Sequence, residues 1–153
     1  MIRFIAVGAG LAVCAGAFVA LSPGQADSAN LFPYQNGEVV AAGAGIYADY
    51  CAACHGEDLE GEPDWRTRKD TGRMPAPPHD ASGHTWHHPD QQLFLLTKYG
   101  VAALVGDGYQ SDMGAYDGIL SDDEIIAVLA YIKSTWPAQI QRRHDQMNAE
   151  MSN

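Results

Sequence analysis

Cys51-Ala52-Ala53-Cys54-His55-Gly56 is the stretch on which the reading of this chain turns. Two thiols separated by two residues, with an imidazole directly after the second, make a compact donor set whose use depends on what flanks it. Upstream, Glu38 to Tyr50 places Val39, Val40, Ala42, Gly43, Ile46, Tyr47 and Tyr50 at helical spacing, so a helix runs straight into the first cysteine. Gly43 is less favourable there than Ala by about 1 kcal/mol, which implies the close approach of another backbone. Downstream, Glu57 to Pro89 is rich in Pro, Gly, Asp and His and has neither a helical nor a strand period. Loops of that length are uncommon in compact domains, so something other than secondary structure must organise it.

Further out, His88-Pro89-Asp90 opens a second helix with Leu93, Phe94, Leu96 and Tyr99 as its buried stripe, and Gly100 stops it. Val101 to Leu120 reads as a loop marked by Gly106, Gly108, Gly114 and Gly118. Ser121-Asp122-Asp123-Glu124 is a capping box that sets acids on the positive end of a third helix. Ile125, Val128, Leu129, Ile132 and Trp136 form that helix's core face before Pro137 ends it. Residues 27–38 read as a flexible lead-in, 39–137 as the domain, and 138–153 as a polar tail with little to anchor it. With no repeat and no alternating strand, the expected fold is all-α, three to four helices around one site. Helices this short bury little apolar surface by themselves, and a large central cofactor would supply the missing core.

The first 26 residues are set apart. Arg3 precedes an apolar run from Ile5 to Leu21, followed by Gly24-Gln25-Ala26, a small-x-small pattern. This reads as a secretory leader cut after Ala26, with retention as an N-terminal anchor the alternative. Its removal takes Cys14 with it and leaves Cys51 and Cys54 as the thiols of an exported, periplasmic chain. It also removes Arg3, so 8 Lys and Arg face 19 Asp and Glu, a net charge of −11. Nucleic acid is excluded as a partner on that balance, and a membrane is reached only through partners or an uncleaved leader. The acids crowd into Glu57 to Asp64 and Asp107 to Glu124, a distribution suited to docking on a basic face.

Cys-x-x-Cys-His is the attachment signature of c-type haem. At a helix end, two residues between the thiols let both sulfurs reach the vinyl groups on one edge of the macrocycle, and the adjacent histidine projects beneath the iron. The competing use is zinc, held by the same cysteines with two of His79, His84, His87 and His88; that leaves His55 idle and the long loop without a core. The same four histidines, with Met74, are also donors suited to an accessory copper site.

From Val39 to Trp136 the chain resembles the single-haem class I cytochromes c of bacterial periplasms, through the Gly43 and Tyr47 helix, Cys-Ala-Ala-Cys-His-Gly, and the last helix Leu-Ser-Asp-Asp-Glu-Ile-Ile-Ala-Val-Leu-Ala-Tyr-Ile-Lys-Ser. The resemblance implies covalent haem c on Cys51 and Cys54, with His55 as one axial ligand. It further implies a first helix crossing the last, with Gly43 and Tyr47 against Leu129 and Tyr131 or Ile132. It puts the second ligand on a methionine shortly before the last helix. Of Met74, Met113, Met147 and Met151, Met113 stands there, although followed by Gly114 where the family often has proline; Met74-Pro75 carries that dipeptide in the wrong place. A proline carbonyl from Pro75, Pro77 or Pro78 would fix the axial imidazole, and Trp86 or Tyr109 would reach a propionate. His/Met ligation fills both axial positions, which implies an electron carrier between redox proteins and not an enzyme. A haem protein that binds external ligands would need the sixth position open.

Overall fold

The computed structural model describes residues 30–151; the leader assigned to residues 1–26 and the start of the lead-in lie outside them. Among the described residues the fold is all-α, as expected. The helices are α1 (Gly37–Tyr50), α2 (Ala52–His55), α3 (Asp90–Tyr99), α4 (Val101–Val105), α5 (Asp122–Ser134) and α6 (Ala138–Met151), with a 3₁₀ turn at Thr85–His87.

The frame is the crossing of α1 and α5. Asn36 caps α1 by accepting the N–H groups of Glu38 and Val39, and Ser121 with Glu124 forms the reciprocal capping box of α5. Gly43 meets the backbone of Ala127, and the Tyr47 and Tyr131 rings lie 5.4 Å apart. Tyr131 is thus a crossing partner as expected, while Gly43 meets Ala127, two residues before the Leu129 of the expected contact. Ile125, Val128, Leu129, Ile132 and Trp136 are all buried, as their spacing predicts. In α3, Leu93 is buried, but Tyr99 is exposed, contrary to the expected stripe. Tyr99 closes the last turn, where Lys98 beside it pairs with Asp122 at the start of α5.

Two further expectations are corrected. From Asn30 on, the segment read as flexible lead-in is packed: Phe32 is buried, and Asp90 accepts the N–H groups of Leu31 and Phe32. The tail read as poorly anchored is the helix α6, whose His144 and Asn148 are buried. Both are held by one buried polar cluster. Lys133, 0 % exposed, lies 2.7 Å from Asp145 and 3.6 Å from Asp90, with the Tyr34 ring 4.8 Å away. His144 donates from Nε2 to the His88 carbonyl, and Asn148 accepts the Asp90 N–H. Charges so deeply buried persist only when paired. Here the pairing joins the segment before α1, the start of α3, the end of α5, and α6.

Candidate haem site

The cysteine motif is one tight helical turn hung on the end of α1. Cys51 closes α1 through its N–H to Tyr47 O, and its own carbonyl accepts the N–H groups of Cys54 and His55. Thiols three positions apart on a helical turn share a side, and this brings Cys51 and Cys54 together. Gly56 then reverses the chain at φ +82°, where a Cβ would strike the Glu60 carboxylate. The Tyr47 hydroxyl donates to the Gly56 carbonyl at 2.8 Å and pins the turn to α1. Both thiols are free, Cys51 half-buried and Cys54 exposed; burial, then its neighbour Cys54, pushes the Cys51 thiol up to about 11.

His55 is buried, and its Nδ1 lies 2.8 Å from the Pro77 carbonyl. A carbonyl only accepts, so Nδ1 carries the proton and Nε2 keeps its lone pair as a donor for a metal. Burial lowers the imidazole pKa, with the Pro77 bond opposing, so the neutral ring is favoured. Of the three prolines left open by the sequence, Pro77 is the one in contact. His79 stacks on His55 with ring centroids 3.9 Å apart, and is itself held by Thr85 Oγ1 on Nδ1 and by Trp136 Nε1–H on its carbonyl. That stack, and the role of Tyr47, had no signal in the one-dimensional pattern.

The long loop is organised largely by its own backbone. Gly61 N–H reaches His55 O, Glu62 N–H reaches Ala76 O, and His79 N–H reaches Leu59 O. The Glu62 carboxylate accepts the Ala76 N–H at 2.6 Å, one residue before Pro77.

Met113 is half-buried in the loop between α4 and α5. The Tyr116 hydroxyl ties that loop to the carbonyl of Tyr50, next to Cys51, and Asp112 pairs with Arg73 and, at 3.9 Å, with Lys69. Met74 is also half-buried but follows Arg73 in the same run of loop that delivers Pro77 to His55. Met147 and Met151 ride on α6.

The remaining histidines lie near one another, His84 with its ring 5.3 Å from that of His88, but each has its own partner. His79 faces His55, His84 stacks on Trp65 at 5.2 Å, His87 stacks on Trp86 at 3.7 Å, and His88 Nδ1 meets Gln92 Oε1. Among the described residues, no group of three or more His, Cys, Asp or Glu side chains is placed to hold a metal ion, neither a zinc set with the cysteines nor a copper set in the loop.

The residues present suit a tetrapyrrole. Helix α4 is wholly apolar yet buries none of its residues, leaving Leu104 and Val105 exposed as apolar surface that a large apolar group would cover. The indole N–H of Trp86 is buried without a hydrogen-bond partner, which is the environment of a donor to a propionate. Tyr109 is engaged differently, with the Arg68 guanidinium 5.8 Å from its ring.

An all-helical domain built around a fixed Cys-x-x-Cys-His turn defines a protein of covalently bound haem. Residues 40–136 match the family model for cytochrome c, and the chain belongs to that family, whose members bind haem c covalently and transfer electrons through its iron. No curated protein matches the sequence, and no solved structure matches the chain.

Proposed function

We propose that this chain is a one-electron carrier whose haem c is bonded through Cys51 and Cys54, with His55 and Met113 as axial ligands. The observation that carries the reading is the setting of His55. It is buried next to the paired thiols, with Nδ1–H committed to Pro77 and Nε2 free to bind iron. The haem iron, when bound, supplies the redox change. The chain's own work is to fix the imidazole, keep water away from it, and hold a second donor in reach.

Met113 is favoured for that donor because its loop is secured beside Cys51 by Tyr116, whereas Met74 sits with the support of His55. A thioether in the sixth position leaves no place for an external ligand, which favours a carrier over an enzyme or a ligand-binding haem protein. Partners are redox proteins. Exposed Glu57, Asp58, Glu60, Asp117, Asp122 and Asp123 favour partners with a basic docking face. An exported, periplasmic setting follows from reading residues 1–26 as a leader.

The test is an optical spectrum of the protein matured in cells competent for haem attachment, oxidised and then reduced. A sharp reduced α-band with the weak red band of iron–methionine ligation in the oxidised state is expected, and Met113→Ala should abolish the latter. A c-type spectrum without that band would remove Met113 from the iron, and no covalent haem at all would overturn the reading.

A further inference from the structure

Met113 lies in a stretch that has little backbone support of its own. Among the described residues, no backbone–backbone hydrogen bond outside the helices involves 110–115; the N–H of Tyr109 and that of Tyr116 make the bonds on either side. Within the stretch, the Met113 N–H finds Ser111 Oγ, a purely local turn. What links it to the rest of the molecule from this side is the Asp112 carboxylate, paired with Arg73 and facing Lys69 at 3.9 Å. Arg68, from the same loop, lies over Tyr109.

Lys69 has a second engagement. Its ammonium meets both oxygens of Glu62, at 2.8 and 3.0 Å. Glu62 in turn accepts the Ala76 N–H and donates its own N–H to Ala76 O, adjacent to the Pro77 carbonyl that fixes His55. A continuous run of contacts thus passes from the His55 imidazole to the residue before Met113, through Pro77, Ala76, Glu62, Lys69 and Asp112.

From this we propose that Asp112 is a positioning residue. Held by Arg73 and Lys69, it straps the Met113 loop to the loop that supports His55, and so keeps the thioether on the iron. The proposal rests on Met113 being the sixth ligand. The strap is ionic and partly exposed, with side chains between 36 % and 45 % accessible, so each pair contributes modestly and is weakened by salt. Its effect should therefore appear as a change in how often the methionine lets go, not as loss of the fold.

The experiment uses the full haem-loaded chain and follows imidazole binding to the oxidised protein by decay of the iron–methionine band. Asp112→Asn should speed that decay about three- to ten-fold, and Asp112→Glu should restore it. High salt should accelerate the parent by a similar factor and leave Asp112→Asn unchanged. Asp107→Asn removes the same charge from the same loop at a position where Asn is equally tolerated (φ 48°), and should behave as the parent. Equal rates in the parent, Asp112→Asn and Asp107→Asn would overturn the strap. So would equal acceleration by Asp112→Asn and Asp107→Asn, which would mark a general charge effect. Failure of the ligand assignment is seen separately, as a parent protein that lacks the methionine band before any imidazole is added.

Discussion

Gly43 and Gly45 stand two positions apart in α1, and the same change, glycine to alanine, should move stability in opposite directions at the two sites. At Gly43 a methyl group would run into the Ala127 carbonyl, with its carbon 2.6 Å away and Tyr131 Cβ at 3.0 Å. Carbon atoms in favourable contact lie about 3.5–4.0 Å apart, so α1 and α5 would have to part by about 1 Å. The obstacle is backbone and cannot rotate aside. Overpacking of this kind costs about 1–3 kcal/mol, and a rigid obstacle argues for the upper end. Alanine returns about 1 kcal/mol in helix propensity, leaving a net loss of about 2 kcal/mol. At Gly45 nothing lies within 4 Å of the added carbon, so only the propensity gain remains, about 0.5–1 kcal/mol of stabilisation. In urea unfolding of the haem-loaded protein, with a slope of about 2 kcal/mol per molar, Gly43→Ala should lower the midpoint by about 1 M and Gly45→Ala should raise it by less than half that. A Gly43→Ala protein as stable as its parent, or two variants equally destabilised, would refute the close α1–α5 contact.

Other outcomes follow from the buried polar groups. Tyr47→Phe removes the hydroxyl that holds the Gly56 carbonyl and should cost about 1–2 kcal/mol in thermal or urea unfolding; an unchanged midpoint would show that the turn stands without it. Lys133→Met strands Asp90 and Asp145 beside an apolar side chain and should cost about 3 kcal/mol, more than Asp145→Asn, because Asp145 is partly exposed and Lys133 is not. Burial, and after it the Lys133 ammonium, lowers the pKa of His144; Asp90 and Asp145 face it with opposite effect. The unfolded chain therefore takes up this proton first. The stability His144 contributes is whole above about pH 6.5 and declines below it, by at most about 1.4 kcal/mol per pH unit. His79 and His84 shift in the same direction, so His144→Gln should flatten the acid limb of a stability profile between pH 7.5 and 5 without abolishing it.

The parts legible in the sequence were those written as short-range pattern. The cysteine motif, the capping box at Ser121, the core face of α5 and the close approach at Gly43 all depend on neighbours within a turn or two, and all have their expected form. Helix α4 was hidden because five apolar residues between glycines carry no helical period. Asp90 read as a helix opener and Lys133 drew no attention, since nothing nearby in sequence announces that Asp145 and His144 come to meet them. Pro77 was one of three equal candidates until the loop's own hydrogen bonds selected it. His79 looked like a metal donor, yet its place is beside the ring of His55.

The clasp of Asp90, Lys133 and His144 has a consequence for how the molecule can be held. Asn30 and Asn148 are themselves neighbours, 3.5 Å apart between Oδ1 and Nδ2, so the two ends of the described chain leave from one side, at the start of α3. The loop of Met113 departs from the far end of α3, where Tyr116 N–H bonds to the carbonyls of Thr97 and Lys98, about 15 Å away along a ten-residue helix. A leash on either end, whether a linker to an electrode or a graft onto another protein, would grip the molecule by that side and leave the loop of Met113 unencumbered at the other end of α3.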